Sequence, residues 1–199
     1  MIERPAANPL LTLPNLLTLF RIVLAVPIAV LVLLPGDWAR WLAFAAMAVA
    51  SLTDWADGYL ARKHAQVSPL GRLLDPIADK LLVAAVLVAL VAARDLGGWE
   101  LIPVIAILGR EILISGLREY MMEHGETVAV TKLAKWKTTV QLAAVALTVL
   151  APALGSGWGW TAGALVWLAA ILTVITGWGY TKGALSHMAR SHMVRPGGR

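Results

Sequence analysis

The sequence predicts an all-α integral membrane protein with six transmembrane helices, and three observations carry that prediction. Of its 199 residues, 59% are hydrophobic and only 15% charged, where a soluble domain keeps roughly a quarter charged. Apolar stretches recur at 22–34, 42–52, 81–93, 101–108, 140–154 and 161–175. Several fall short of the roughly 20 residues a span needs, but amphipathic neighbours extend each at one end. Positive charge, finally, gathers in alternate connections. Twelve of the seventeen Lys and Arg lie in the N-terminal tail, 61–72, 118–137 and the C-terminal tail. The other connections hold Arg40 and Arg94, and the 155–159 turn holds none. The positive-inside rule then puts both tails on the cytoplasmic side, which requires an even number of spans.

Local signals place each helix. The N-terminus carries one early positive charge, Arg4, and lacks the pattern of a cleaved signal peptide, so the first span is expected to stay. Pro14-Asn15 opens helix one, with proline near the start where its missing N–H costs little. Pro35-Gly36-Asp37 ends that hairpin arm, and helix two is expected from about Trp38 to Arg62. Ser68-Pro69 is a capping hydroxyl followed by proline at the first helical position, so helix three runs from about Pro69 to Ala93. Pro76 should kink it between Asp75 and Asp79. Gly97-Gly98 turns the chain into helix four, expected from about Trp99 to His124. A basic segment leads to helix five, and the glycines of 155–159 turn into helix six. Trp38, Trp41, Trp99, Trp158 and Trp160 fall near helix ends, as an interfacial belt does. One membrane domain is expected over 1–185, with 186–199 a disordered tail.

Composition also excludes some chemistry. Without cysteine there are no disulfides and no thiolate metal sites. The net charge of +5 is distributed as membrane topology demands, and no nucleic-acid partner is expected.

The informative charges are acidic. On helix two, Asp54, Asp57, Gly58 and Ala61 share one face, with Arg62 at its edge. On helix three, Gly71, Asp75 and Asp79 repeat every four residues and form another. A short cytoplasmic turn joins the helices, so the faces can meet. One acidic residue near a span centre carries an insertion penalty of about 2.5–3.5 kcal/mol. Arg62 and Lys80 cannot answer four. Divalent cations can, and all-oxygen donors favour Mg²⁺ or Mn²⁺ over zinc. Four aspartates suit two such ions, the arrangement used for in-line phosphoryl displacement. Gly58, Ala61 and Gly71 leave room on those faces for a substrate, although Gly58 and Gly71 would equally serve helix packing. Spacing alone leaves three readings open: catalysis, an ion-coupled transporter, and structural ion pairing.

Asp54-x-x-Asp57-Gly58-x-x-Ala61-Arg62 followed by Gly71-x-x-x-Asp75-x-x-x-Asp79 resembles the signature of the CDP-alcohol phosphotransferases, with all eight fixed positions filled. Further segments resemble one branch of that family: Asn15, Thr18 and Arg21 in helix one, Asp75-Pro76-x-Ala78-Asp79-Lys80, Arg110-Glu111, Arg118-Glu119 and Lys135-x-Lys137-Thr138. The resemblance implies a six-helix homodimer of the bacterial cytoplasmic (inner) membrane, with termini and active site on the cytoplasmic side. It implies two ions, Mg²⁺ or Mn²⁺, on Asp54, Asp57, Asp75 and Asp79, with Asp79 also the general base. CDP-diacylglycerol is the implied donor, admitted by Gly58, Ala61 and Gly71 and paired with Arg62. In this branch the acceptor is sn-glycerol 3-phosphate; elsewhere in the family it is phosphatidylglycerol, serine or inositol phosphate.

The cations outside the acidic run bear on that acceptor. Arg110 lies within the apolar stretch of helix four with Glu111 beside it, and guanidinium suits phosphate geometrically. Arg118 follows two turns later, and Lys135 and Lys137 open helix five. These four are the candidate phosphate ligands. Against that stand an ion pair with a neighbouring acid for Arg110, and contact with anionic lipid for the lysines. Asn15, Thr18 and Arg21 lie on one face. Asn15 would serve as a helix cap or a donor contact, and Arg21 would hold the pyrophosphate or an aspartate. His64 and His124 are expected in solvated positions, and no catalytic histidine is assigned.

Overall fold

A tight turn makes the first two helices a hairpin. The computed structural model describes residues 13–64, 69–124 and 132–194; within the helices, the side chains of 13–14, 54–64, 69–70, 72–73, 75, 79, 132, 134–135, 187 and 189–194 are outside the description. Helix α1 (Leu13–Leu33) ends where Leu34 N–H bonds to the Leu31 carbonyl. Gly36 then takes φ +95°, a left-handed conformation natural to glycine, and α2 (Asp37–His64) begins. A Cβ at Gly36 would also crowd the Trp38 ring at 3.1 Å. α3 (Pro69–Ala92) starts at the proline its sequence marks and continues through Pro76. Its end is a Schellman cap: Asp95 N–H bonds to Leu90 O and Arg94 N–H to Val91 O, with Arg94 at φ +64°. Asp95 then receives a hydrogen bond from Arg40 Nη1 at 2.5 Å, which ties the end of α3 to the start of α2.

A short 3₁₀ turn (Gly98–Glu100) leads into α4 (Leu101–Glu123), followed by α5 (Lys132–Leu154) and α6 (Trp158–Val194). Among the described residues there is no strand. The expected boundary at 185 has no counterpart in α6, which runs on through 186–194, the greater part of the expected disordered tail. Residues 195–199 lie outside the described residues.

Two compact units divide the chain: Met1–Asp95 with Val145–Gly159, and Leu96–Ala144 with Trp160–Arg199. In the first, α1 packs against both α3 and α2. Its buried line is Asn15, Thr18, Arg21, Ala25, Ile28 and Val32, while Leu16, Leu19, Phe20, Val23, Val26, Val30 and Leu33 face outward. Polar groups inside and large aliphatics outside is the reverse of a soluble helix, and it is what a hydrocarbon solvent selects. The α2 line is Ala39, Ala43, Met47 and Ala50, mostly methyl side chains that let a neighbouring helix approach closely. The five tryptophans expected at helix ends are all exposed.

Among the described residues, three helices are long and apolar enough to cross a membrane: Asn15–Leu33, Trp136–Leu154 and Trp158–Ser186. They belong to α1, α5 and α6. α2, α3 and α4 carry the charges singled out above, and that charge lowers their hydropathy.

Candidate functional site

Two charged regions emerge, one in each unit. In the first unit, helical register continues the buried α2 line from Ala50 to positions 54 and 57, so the acidic pair sits on the line that begins with alanines. In α3, position 75 falls between buried Gly71 and buried Ala78 on the line that continues to Leu82 and Val86. The side chains of Asp54, Asp57, Asp75 and Asp79, and residues Gly58, Ala61 and Arg62, lie outside the described residues beyond their place in these helices.

What stands opposite them is clearer. Asn15 lies 20 residues before Pro35 and Asp54 lies 19 after it, so in an antiparallel hairpin they share one level. At that end the buried face of α1 is polar: Asn15, Thr18 and Arg21 are 4%, 1% and 2% exposed. Each has an interaction partner. Arg21 is the bulkiest fully buried side chain among the described residues. A helical side chain leans toward its helix N-terminus, which for Arg21 is toward the acidic level. A buried guanidinium is tolerable only when answered by anions. Asn15 is therefore more than an exposed helix cap.

The second unit holds the cationic region. Lys137, 3% exposed, donates a hydrogen bond from Nζ to Glu111 Oε1. Arg110 Nη1 stands 3.6 Å from Glu111 Oε2, an ion pair just beyond hydrogen-bond reach. Arg118 is exposed two turns on, close enough for its charge to act on both Arg110 and Lys137. Two cations thus pair with one carboxylate, and a third lies within electrostatic reach of both. Glu111 occupies the core line of α4 between Ile107 and Ile114, which is why it meets α5. Positions 135 and 137 lie on different faces of α5, so Lys135 does not share the α4-facing position of Lys137. The Lys135 side chain lies outside the described residues.

Four features escaped the sequence reading. Glu111 was visible beside Arg110, but its bond to Lys137, 26 residues away, was not. Gln141, one turn beyond Lys137, and Thr173 on α6 are buried, with Oε1 and Oγ1 lacking hydrogen-bond partners. Gly177, one turn beyond Thr173, lies directly under the Arg110 side chain. A polar residue at helical spacing within an apolar run was the available signal for Gln141 and Thr173.

The donor set can be tested against divalent ions. It offers carboxylates at i, i+3 on α2 and i, i+4 on α3, in a chain without cysteine. Among the described residues no other group of three or more His, Cys, Asp or Glu could hold a metal. Oxygen-only donors of this kind fit Mg²⁺ or Mn²⁺.

The family model for CDP-alcohol phosphatidyltransferase matches residues 11–175, a range that includes every signature position. The chain belongs to that family. Enzymes of the family use divalent metal ions, in keeping with the donor set. Among its relatives, the CDP-diacylglycerol–glycerol-3-phosphate 3-phosphatidyltransferase of Cereibacter sphaeroides is 37% identical over 202 residues, covering 83% of this chain and 91% of the relative. Proteins of the same name from Escherichia coli strain K12 and Salmonella choleraesuis are 44% and 42% identical. Each of those alignments covers 81% of this chain and 88% of the relative. Family membership sets aside the transporter reading that the acidic faces alone left open.

Proposed function

We propose that this protein transfers the phosphatidyl group of CDP-diacylglycerol to sn-glycerol 3-phosphate, giving phosphatidylglycerophosphate and CMP. The observation that carries the reading is the pairing of a complete acidic signature on α2 and α3 with the cationic region at Glu111 in the second unit. The first suits a pyrophosphate donor, and the second suits an acceptor that brings its own phosphate. The names of the relatives agree with both halves.

In this reading the primary hydroxyl of glycerol 3-phosphate attacks the phosphorus that carries the diacylglycerol. A new P–O bond forms, the P–O bond to CMP breaks, and CMP leaves with the electron pair. Asp79 takes the hydroxyl proton. A carboxylate is a weak base for an alcohol, so the step relies on positioning and charge stabilisation. Asp54, Asp57, Asp75 and Asp79 would hold two Mg²⁺ or Mn²⁺ ions, which supply charge neutralisation for the pyrophosphate and acidify the attacking hydroxyl. Gly58, Ala61 and Gly71 leave room for the nucleotide and Arg62 pairs with its phosphates. Arg21, with Asn15 and Thr18, braces the acidic level from α1. Arg110, Arg118, Lys135 and Lys137 bind the acceptor's phosphate. Lys137 acts through Glu111, whose carboxylate holds the cations together between turnovers.

All six α-helices cross the bilayer in this reading. Both termini and the active site face the cytoplasm at the inner membrane, among membrane lipids, and the protein works as a homodimer. The test is CMP release by the purified protein, given CDP-diacylglycerol, Mg²⁺ or Mn²⁺, and each acceptor in turn. Glycerol 3-phosphate should support release. Absence of CMP release with every acceptor would end the enzymatic reading, and CMP with serine but not glycerol 3-phosphate would end the acceptor assignment alone.

A further inference from the structure

α6 carries five glycines, Gly159, Gly163, Gly177, Gly179 and Gly183, and only one of them lies beneath another side chain at close range. A methyl group added at Gly177 would stand 2.9 Å from Arg110 Cγ, 3.5 Å from Nε and 3.8 Å from Cδ. At Gly159, Gly179 and Gly183 the same group would meet nothing within 4 Å, and at Gly163 only Glu100 Oε1 at 3.8 Å. The stem of Arg110 therefore lies across the bare backbone of α6. Its Nε is sealed there, buried and without a hydrogen-bond partner. Gly177 is itself buried, one turn along the same face from fully buried Thr173.

An arginine can meet a phosphate side-on, through Nε and one terminal nitrogen, or end-on, through both terminal nitrogens. With Nε closed off against α6, only the end-on face is left, and Nη1 is already turned toward Glu111 at 3.6 Å. We propose that Gly177 is a positioning residue for the acceptor site: the space left by its missing side chain seats the Arg110 stem and dictates end-on presentation of the guanidinium to the acceptor's phosphate. The inference rests on Arg110 binding that phosphate, as proposed above. Any side chain at 177 must lift the stem, and the tip moves further than the stem. Displacements of about an ångström in a binding group can cost up to about a hundredfold in rate.

The experiment is a double-mutant cycle on the full-length protein, with Gly177→Ala, Arg110→Ala, the pair together, and Gly183→Ala as the control. CMP release is followed while each substrate is varied. Gly177→Ala should raise the KM for glycerol 3-phosphate about tenfold and leave the KM for CDP-diacylglycerol within about twofold. Gly183→Ala should leave both unchanged. In the Arg110→Ala background, where the stem is gone, Gly177→Ala should add nothing. Thermal unfolding gives a readout independent of turnover: Gly177→Ala should lower Tm, and removing Arg110 as well should restore it to the value for Arg110→Ala alone. If Arg110→Ala raises the KM but the two substitutions multiply in KM and add in Tm, the role given to Gly177 is wrong. If Arg110→Ala alone leaves the KM for glycerol 3-phosphate unchanged, the acceptor assignment falls, and the Tm cycle still reports whether the two residues touch.

Discussion

The two units answer charge in opposite ways. At one end of the first, a fully buried arginine and two polar neighbours on α1 lie level with the acidic end of α2, in a unit whose sequence holds four signature aspartates, an excess of anion. In the second, among the described residues, Glu111 pairs with both Arg110 and Lys137, and the charge of Arg118 reaches those two, an excess of cation. Neither imbalance is something a hydrocarbon-facing fold tolerates without a partner. On the function proposed above, each surplus identifies the charge it awaits. Anionic surplus calls for metal ions, and cationic surplus calls for phosphate.

The comparison can be broken most sharply at the acidic side. Asp79→Asn keeps the size of the side chain but removes both base and anion. It should lower kcat by about 10²–10⁴-fold, measured as CMP release, with the helical circular dichroism unchanged. Retained turnover would show that the anionic surplus at 79 is not catalytic.

On the cationic side the first effect is on stability. Glu111→Ala strands Lys137, whose side chain is only 4% exposed, and should cost about 3–5 kcal/mol. Unfolding in denaturant checks this, and adding Lys137→Met should recover much of the loss. A neutral Glu111→Ala would mean that the paired cations do not need their carboxylate.

The smallest effect sharpens the contrast, because it concerns a balanced pair. Arg40→Ala leaves Asp95 half-buried without its partner and should cost about 1–3 kcal/mol. Burial raises the Asp95 carboxyl above the ordinary value of 3.8, with Arg40 pulling it the other way. The folded protein therefore holds this proton more tightly than the unfolded chain. Its contribution to stability is full below about 3.8 and declines as pH rises through the folded value. Asp95→Asn should flatten the stability profile just above pH 3.8, and an unaltered slope there would contradict the assignment.

Much of this was legible in the sequence, and what was not has identifiable physical reasons. Pro69 and the 35–37 turn announce their helices because proline and glycine act locally, within a few residues. The signature was readable because its fixed positions all fall on two consecutive helices. The bond from Lys137 to Glu111 joins residues 26 apart on separate helices, which no local pattern encodes. Gly177 was one of 17 glycines, and only the position of the Arg110 stem distinguishes it. The extent of α6 was not legible because its glycines, charges and repeated Ser-His-Met interrupt the apolar periodicity, while the helix itself continues to Val194.

That length has a consequence of its own. At 1.5 Å per residue, the 37 residues of α6 make a rod about 55 Å long, against a hydrocarbon thickness of about 30 Å. Exposed Trp158 and Trp178 stand 20 residues apart, close to that thickness, and aromatic rings of this kind mark the two boundaries of a bilayer. Gly177, with the arginine stem resting on it, is the immediate neighbour of Trp178 at one end of that interval. On the function proposed above, a water-soluble phosphate and a lipid-anchored one need not enter each other's solvent to react, because a cation seated beside an interfacial tryptophan meets both.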